Sequence, residues 1–205
     1  MKRITALALA LALVLAALPA PAEYGFVAVG SIVTYGHYEQ DGQAANGAEP
    51  IQWIVLDVSG GSALLLSRYV LDAAPYHTGA GKVGWGACTL NGWLNYTFLN
   101  TAFTPQEQMV LGSITTEKVF LLSQEEAQRY VSSADLYGIP TAYAVRRGVY
   151  VDAGSSRSWW WLRSTGTRDN QAWGINSSGA FNEFHMRKES GGIRPAIRVS
   201  IGSLY

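Results

Sequence analysis

Two apolar runs separated by a pair of glycines constrain this chain more than any other feature. Ile51-Gln52-Trp53-Ile54-Val55-Leu56 comes first, then Gly60-Gly61, then Ala63-Leu64-Leu65-Leu66. Tight hairpin turns need backbone angles that glycine adopts without steric cost. Apolar runs on both sides of such a turn predict an antiparallel hairpin in a buried position.

The segment ahead of the hairpin reads as a strand over residues 26–35, rich in Val and Ile. A polar stretch with turns at Gly42 and Asn46-Gly47 follows it. Residues 75–86 read as loop. Leu90, Trp93, Leu94 and Phe98 then recur at helical spacing and predict a short helix over residues 90–99. Thr104-Pro105-Gln106-Glu107 opens another helix, with an N-cap Thr, Pro at the first position and an acid in the first turn. Val119-Phe120-Leu121-Leu122 predicts a strand. It runs into Ser123-Gln124-Glu125-Glu126, a capping box that starts a helix to about Tyr130. A further short helix is expected over residues 141–147. The last third reads as β: Trp159-Trp160-Trp161-Leu162-Arg163, residues 172–176 and residues 193–201, with turns at Gly166, Gly179 and Gly191-Gly192. Strands at both ends with short helices between them predict an α+β domain with an antiparallel C-terminal third.

Lys2 and Arg3, an apolar run over residues 4–18 and Ala20-Pro21-Ala22 together make an export signal, expected to be cleaved near Ala22. The run is shorter than the ~20 residues that span a bilayer as a helix. The expectation is a secreted or cell-envelope protein, with residues 23–205 as a single domain and no membrane span after signal removal. Losing Lys2 and Arg3 from 15 basic residues leaves 13 against 15 acidic ones. Such a near-neutral balance argues against nucleic acid, which demands a concentrated basic surface. With Cys88 as the lone cysteine, no intramolecular disulfide forms, which suits a bacterial exported protein.

Seven stretches in order carry a resemblance. They are Tyr35-Gly36-His37-Tyr38-Glu39-Gln40-Asp41, Glu49-Pro50-Ile51-Gln52-Trp53-Ile54-Val55-Leu56-Asp57, and Cys88-Thr89-Leu90 with Trp93-Leu94-Asn95. Lys118-Val119-Phe120-Leu121-Leu122-Ser123, Pro140-Thr141-Ala142-Tyr143-Ala144, Trp160-Trp161-Leu162-Arg163-Ser164 and Gly192-Ile193-Arg194-Pro195-Ala196 follow. From about Val29 to Ile201 the chain resembles the bacterial domain-of-unknown-function 6273 family, and departs from it at Asn91-Gly92, where a basic pair is usual. The resemblance implies no catalytic residue. It makes Trp160, Trp161, Arg163 and Arg194 structural motif residues. By analogy of its C-terminal pattern it implies a C-type-lectin-like domain.

No chemistry-bearing residue stands in a recognisable catalytic constellation. Gly79-Ala80-Gly81-Lys82-Val83-Gly84 fits a dinucleotide-binding pattern, but Pro75-Tyr76-His77-Thr78 before it is no strand, so a surface loop is expected. Cys88 with His37, His77 or His185 could make a nucleophile and base, yet no local signature supports a pair, and a packed thiol is expected. Neither a metal nor a cofactor is expected, because the His and acid spacings are wrong for ligands. Glu39, Asp41, Glu49, Asp57 and Asp72 are available for a carboxylate pair, with Asp57 and Asp72 at ordinary turn positions.

Seven Trp, eleven Tyr and six Phe leave aromatic recognition as the remaining chemistry. Trp159, Trp161 and Arg163 share one strand face and Trp160 and Leu162 the other, as core or as a platform for sugar rings. Residues 165–190 mix amides with aromatics, as binding loops do. The sequence therefore predicts a non-catalytic module binding a glycan or surface protein through Trp85, Asn170, Trp173, Asn176, Asn182, Phe184 and His185. An envelope hydrolase using Cys88 or a carboxylate pair, or a structural interaction module, are the alternatives. The oligomeric state is left open.

Overall fold

The glycine pair turns the chain as the sequence requires. In a computed structural model that describes residues 27–204, Gly60 and Gly61 take φ of 56° and 74°. They join β2 (Glu49–Ser59) to β3 (Ser62–Ser67) with Ser59 opposite Ser62. Ahead of them β1 (Ile32–Tyr38) pairs antiparallel with β2. The export signal expected over residues 1–22 lies outside the described residues.

The central stretches of both arms, residues 53–56 and 63–66, are apolar throughout because both of their faces are buried. Trp53, Val55 and Leu65 join Leu94, Phe98 and Phe103 in one core, and Ile54, Leu56, Leu64 and Leu66 join Phe120, Leu122 and Leu162 in a second. A strand covered on both faces loses the usual alternation of apolar and polar residues. Trp53 is fully buried, and its indole Nε1 donates to Tyr35 O at 2.7 Å, so the burial leaves no orphaned donor.

The middle of the chain supplies what packs on the first core. A helical run comprises α1 (Thr89–Trp93), a π-helical turn (Leu94–Phe98) and α2 (Leu99–Ala102), longer than the helix predicted over residues 90–99. Its end presses so closely on β1 that a Cβ on Gly36 (φ 67°) would lie 2.5 Å from the Phe103 ring. Only glycine fits there, at a register shift in β1. Thr104, predicted as an N-cap, opens α3 (Pro105–Met109) with a full capping box to Glu107, and Ser123 forms the predicted capping box of α4 (Gln124–Tyr130). Thr141 caps α5 (Ala142–Arg146). Short strands β5 (Leu111–Gly112) and β6 (Val119–Phe120) lie between.

A second sheet holds β4 (Asp72–Ala73), β7 (Trp160–Thr165), β8 (Gln171–Ile175), β9 (Phe181–His185) and β10 (Gly192–Ile193), in the order β4-β10-β7-β8-β9. Its pairs are antiparallel except β7 with β10, which run parallel. The single strand expected over residues 193–201 is in fact two. After β10, Arg194-Pro195 carries the chain out of the second sheet, and β11 (Ala196–Ser200) enters the first, between β3 and β5. Proline lacks the amide that an uninterrupted strand would need there. The result is a mixed α+β domain, and none of its described helices is long and apolar enough to cross a membrane.

The two sheets are held where the chain crosses between them. Ser67, fully buried, ends β3 on the way to β4, and Arg194-Pro195 runs beside it on the way back. The Ser67 amide donates to Pro195 O at 2.8 Å, and Arg194 Nε donates to Ser67 O at 2.8 Å. Arg194 Nη1 also donates to Asp135 O, and the guanidinium lies 5.0 Å from the Trp160 ring centroid. Burial pushes the Arg194 guanidinium down to about 10, still charged at neutral pH. A lysine ammonium lacks the planar fork that reaches two carbonyls while stacking on an indole. Arg194→Lys is therefore expected to cost about 2 kcal/mol, read as a lower urea midpoint at unchanged m value.

Candidate functional site

The polar turn region after β1 is organised by its own carboxylates. Glu49 Oε2 accepts from the Gln40 amide at 2.6 Å, and Glu39 Oε1 from the Gly42 and Gln43 amides at 2.6 and 3.0 Å. Asp41 Oδ1 accepts from the Gln43 amide at 2.6 Å and Oδ2 from Asn46 Nδ2 at 2.8 Å. The Asn46 amide foremost holds the Asp41 carboxyl below the usual carboxylate range, so it is an ionised acceptor at neutral pH. Potential ligand oxygens of Glu39, Asp41 and Glu49 lie within 4.8 Å of one another.

These turns form one end of a cleft of about 560 Å³. Its floor is the solvent face of the first sheet, where Thr34 and Gln52 stand opposite each other in register, with Pro50 beyond them. Tyr69 and the Pro140-Thr141-Ala142 start of α5 form the facing wall. Gln40 is fixed by donating from Nε2 to Glu49 O and Pro50 O at 3.2 and 3.1 Å. Arg68 Nη1 donates to Gln52 Oε1 at 2.8 Å, and its guanidinium lies 5.3 Å from the Tyr69 ring centroid. Ser67 Oγ donates to Tyr69 O at 2.8 Å. Every wall thus rests on a strand, a capped helix or a hydrogen-bonded turn.

The C-terminal residues singled out by sequence do not share one surface. On β8 and β9, Trp173 and His185 point to one side of the sheet, and Asn182 and Phe184 to the other. Phe184 stacks on Trp159, with centroids 4.1 Å apart and planes at 17°. Asn176 Oδ1 accepts from Ser178 N, Ser178 Oγ and Ala180 N at 2.7 to 2.9 Å, which builds the hairpin turn. Trp85 is half-buried against Tyr76, 6.0 Å between centroids. Only Asn170 and His185 meet, with Gly79, Ala80 and Gly81, at a hollow of about 150 Å³. Trp159, Trp160 and Trp161 are all buried, on opposite cores as the alternation predicts, so none of the three is an exposed platform.

The remaining candidates serve the fold. Arg163 donates to Leu121 O at 2.9 Å and grips both carboxylate oxygens of Glu126. Burial would raise the Glu126 carboxyl, but Arg163 and the Ser123 amide outweigh it and hold it below the usual range. Asp57, expected at a turn after the strand, instead lies within β2 at its register shift and accepts from Ser59 Oγ at 2.9 Å. Asp72, expected at an open turn, is instead buried in β4. It accepts from Tyr38 Oη at 2.7 Å and Arg147 Nε at 3.0 Å, and so ties β1 and α5 to the second sheet. Asn91, standing in the departure from the resembled family, is buried and donates to Glu117 Oε1 at 3.1 Å. Sequence reasoning missed the Tyr69 cleft. Tyr69 is a single aromatic beside a strand end, and its partners lie far away in the chain.

Residues 60–201 match the family described as Domain of unknown function (DUF6273). The matched region holds Tyr69 and the α5 wall, while the β1–β2 floor precedes it. No curated protein and no solved structure matches the chain.

Cys88 lies apart from the cleft, at the start of α1. Its Sγ caps α1 by accepting from the Asn91 amide at 3.4 Å, and burial pushes the thiol up to about 11 from an ordinary 9.0. A thiolate is the reactive form, so the folded protein at pH 8 is expected to resist iodoacetamide and to label quickly in guanidinium. The native thiol keeps its proton up to about pH 11 while the unfolded one releases it near 9.0, so its contribution to stability is lost across that window. Rapid labelling of the folded protein at pH 8 would show the thiol to be open.

Proposed function

The chain belongs to this DUF6273 family, and we propose that it is an exported, non-catalytic recognition module of C-type-lectin-like architecture. Its ligand is an extracellular or envelope glycan or a surface protein. The observation that carries the reading is the Tyr69 cleft, a concavity of about 560 Å³ with one aromatic, two prolines and several amide, hydroxyl and carboxylate groups converging on it. That size and mixture match small-ligand sites, which run to ~300–1,000 Å³ and are largely pre-formed. The site in this reading is the cleft and not residues 165–190, because Trp173, His185, Asn182 and Phe184 divide between two sides of a sheet.

Export draws its support from the Lys2-Arg3 start, the apolar run and the Ala20-Pro21-Ala22 end. The lectin-like architecture draws its support from the return of β11 to the sheet of the first hairpin, with the second sheet and its hairpin lying between in sequence. Binding without turnover fits the sealed Cys88 thiol and an Asp41 carboxyl held below its ordinary range. A hydrolase working by general acid catalysis needs one carboxyl pushed the other way. The grouping of Glu39, Asp41 and Glu49 is the feature that a hydrolase reading would draw on.

The test is sedimentation of the purified protein with isolated cell-wall sacculi. Saturable co-sedimentation is expected, and Thr34→Trp, which fills the cleft from an exposed strand position, is expected to abolish it without moving the thermal midpoint. Equal retention of the variant, or timed release of reducing ends or soluble fragments from the wall, would end this reading.

A further inference from the structure

Resting on the cleft as the recognition site, we infer that its ligand is a short neutral oligosaccharide, stacked on Tyr69 and held through its hydroxyl groups. The main chain at Arg68, Val70, Thr141 and Tyr143, on the wall side of the cleft, is already committed. Arg68 N donates to Gln52 O at 2.8 Å, Thr141 N to Val70 O at 3.0 Å, Val70 N to Ile139 O at 2.9 Å and Tyr143 N to Gln40 O at 2.9 Å. A peptide recognised by strand addition needs an open row of such groups. Here the ligand is read by side chains.

Those side chains suit hydroxyl groups, which donate and accept at the same atom. Asp41 and Glu49 are acceptors. Gln52, with Oε1 engaged by Arg68, has its amide nitrogen left to donate. Thr141 Oγ1 accepts from the Ala144 amide, which leaves its hydroxyl hydrogen to be donated elsewhere. Among the described residues no Lys, Arg or His lines the cleft, the adjacent Arg68 being engaged with Gln52 and the Tyr69 ring, and its two carboxylates repel anions, so phosphorylated or sulfated ligands fit poorly. The apolar lining is confined to Tyr69, Pro50, Pro140 and Ala142. An aromatic face with rigid ring side chains beside it suits the C–H face of a pyranose better than a flexible aliphatic chain.

The experiment is calorimetric titration of the purified protein with four tetrasaccharides: β-1,4-linked N-acetylglucosamine, glucose and xylose, and α-1,4-linked glucose. At least one is expected to bind saturably. Thr34→Trp is expected to abolish that binding, Tyr69→Ala to weaken it about tenfold and Tyr69→Phe to retain it within about threefold. Tyr69 packs on the first core, so Tyr69→Ala can lose stability, and the exposed Thr34→Trp keeps the test independent of folding. Binding that Thr34→Trp leaves intact would overturn the inference by putting the sugar elsewhere. If no tetrasaccharide binds while sacculi still retain the protein in a Thr34→Trp-sensitive way, the sugar class is wrong and the recognition reading stands. If sacculi and tetrasaccharides both fail to bind, both readings fall.

Discussion

Ser67 has three polar groups to satisfy in a place without water, and the way it does so organises the molecule. Its amide, carbonyl and hydroxyl meet Pro195 O, Arg194 Nε and Tyr69 O respectively. An unmade hydrogen bond at such depth costs ~1–3 kcal/mol, so the three contacts define the place where two sheets can be joined. The chain crosses from the first sheet to the second at Ser67, and back at Arg194-Pro195. Both crossings are fastened to each other and, through the Trp160 ring, to the strand that divides the two cores. A cation is tolerated there because its charge is spread over a plane with carbonyls at its edge and an indole on its face.

The same fastening sets the cleft. Tyr69 follows Ser67 by two residues and takes its position from the serine hydroxyl, while Arg68 between them reaches back to Gln52 on the neighbouring strand. On the far side, the buried Asp72 holds α5 through Arg147 and β1 through Tyr38. Floor and wall are therefore both tied to the crossing region. A pocket of this kind loses little entropy on binding, because its side chains are already ordered.

How much of this the sequence reveals depends on how local the cause is. The Gly60-Gly61 hairpin, the Ser123 capping box and the Thr104 N-cap rest on residues within a few positions of each other, and all three form as read. The Trp159–Leu162 alternation also holds, because strand geometry fixes which neighbours share a face. The reading of residues 193–201 as one strand failed because hydropathy records burial and not which sheet does the burying. Asp72 looks like a turn residue until Tyr38 and Arg147, 34 and 75 positions away, close on it. The cleft has the same character. Its aromatic, amides and prolines come from three stretches of chain, and no spacing rule links them.

The late entry of β11 into the first sheet has a bearing on how the chain is made. β11 lies beside β3, the second arm of the opening hairpin, and pairs with β5 and β6 as well. The first sheet consequently stays open until about residue 200 is available, and the contacts that close it span well over a hundred residues. Topologies dominated by such distant pairings fold slowly, since the loop must close before the contacts reward it. The hairpin can form early, but the free edge of β3 waits without its partner until the final strand arrives.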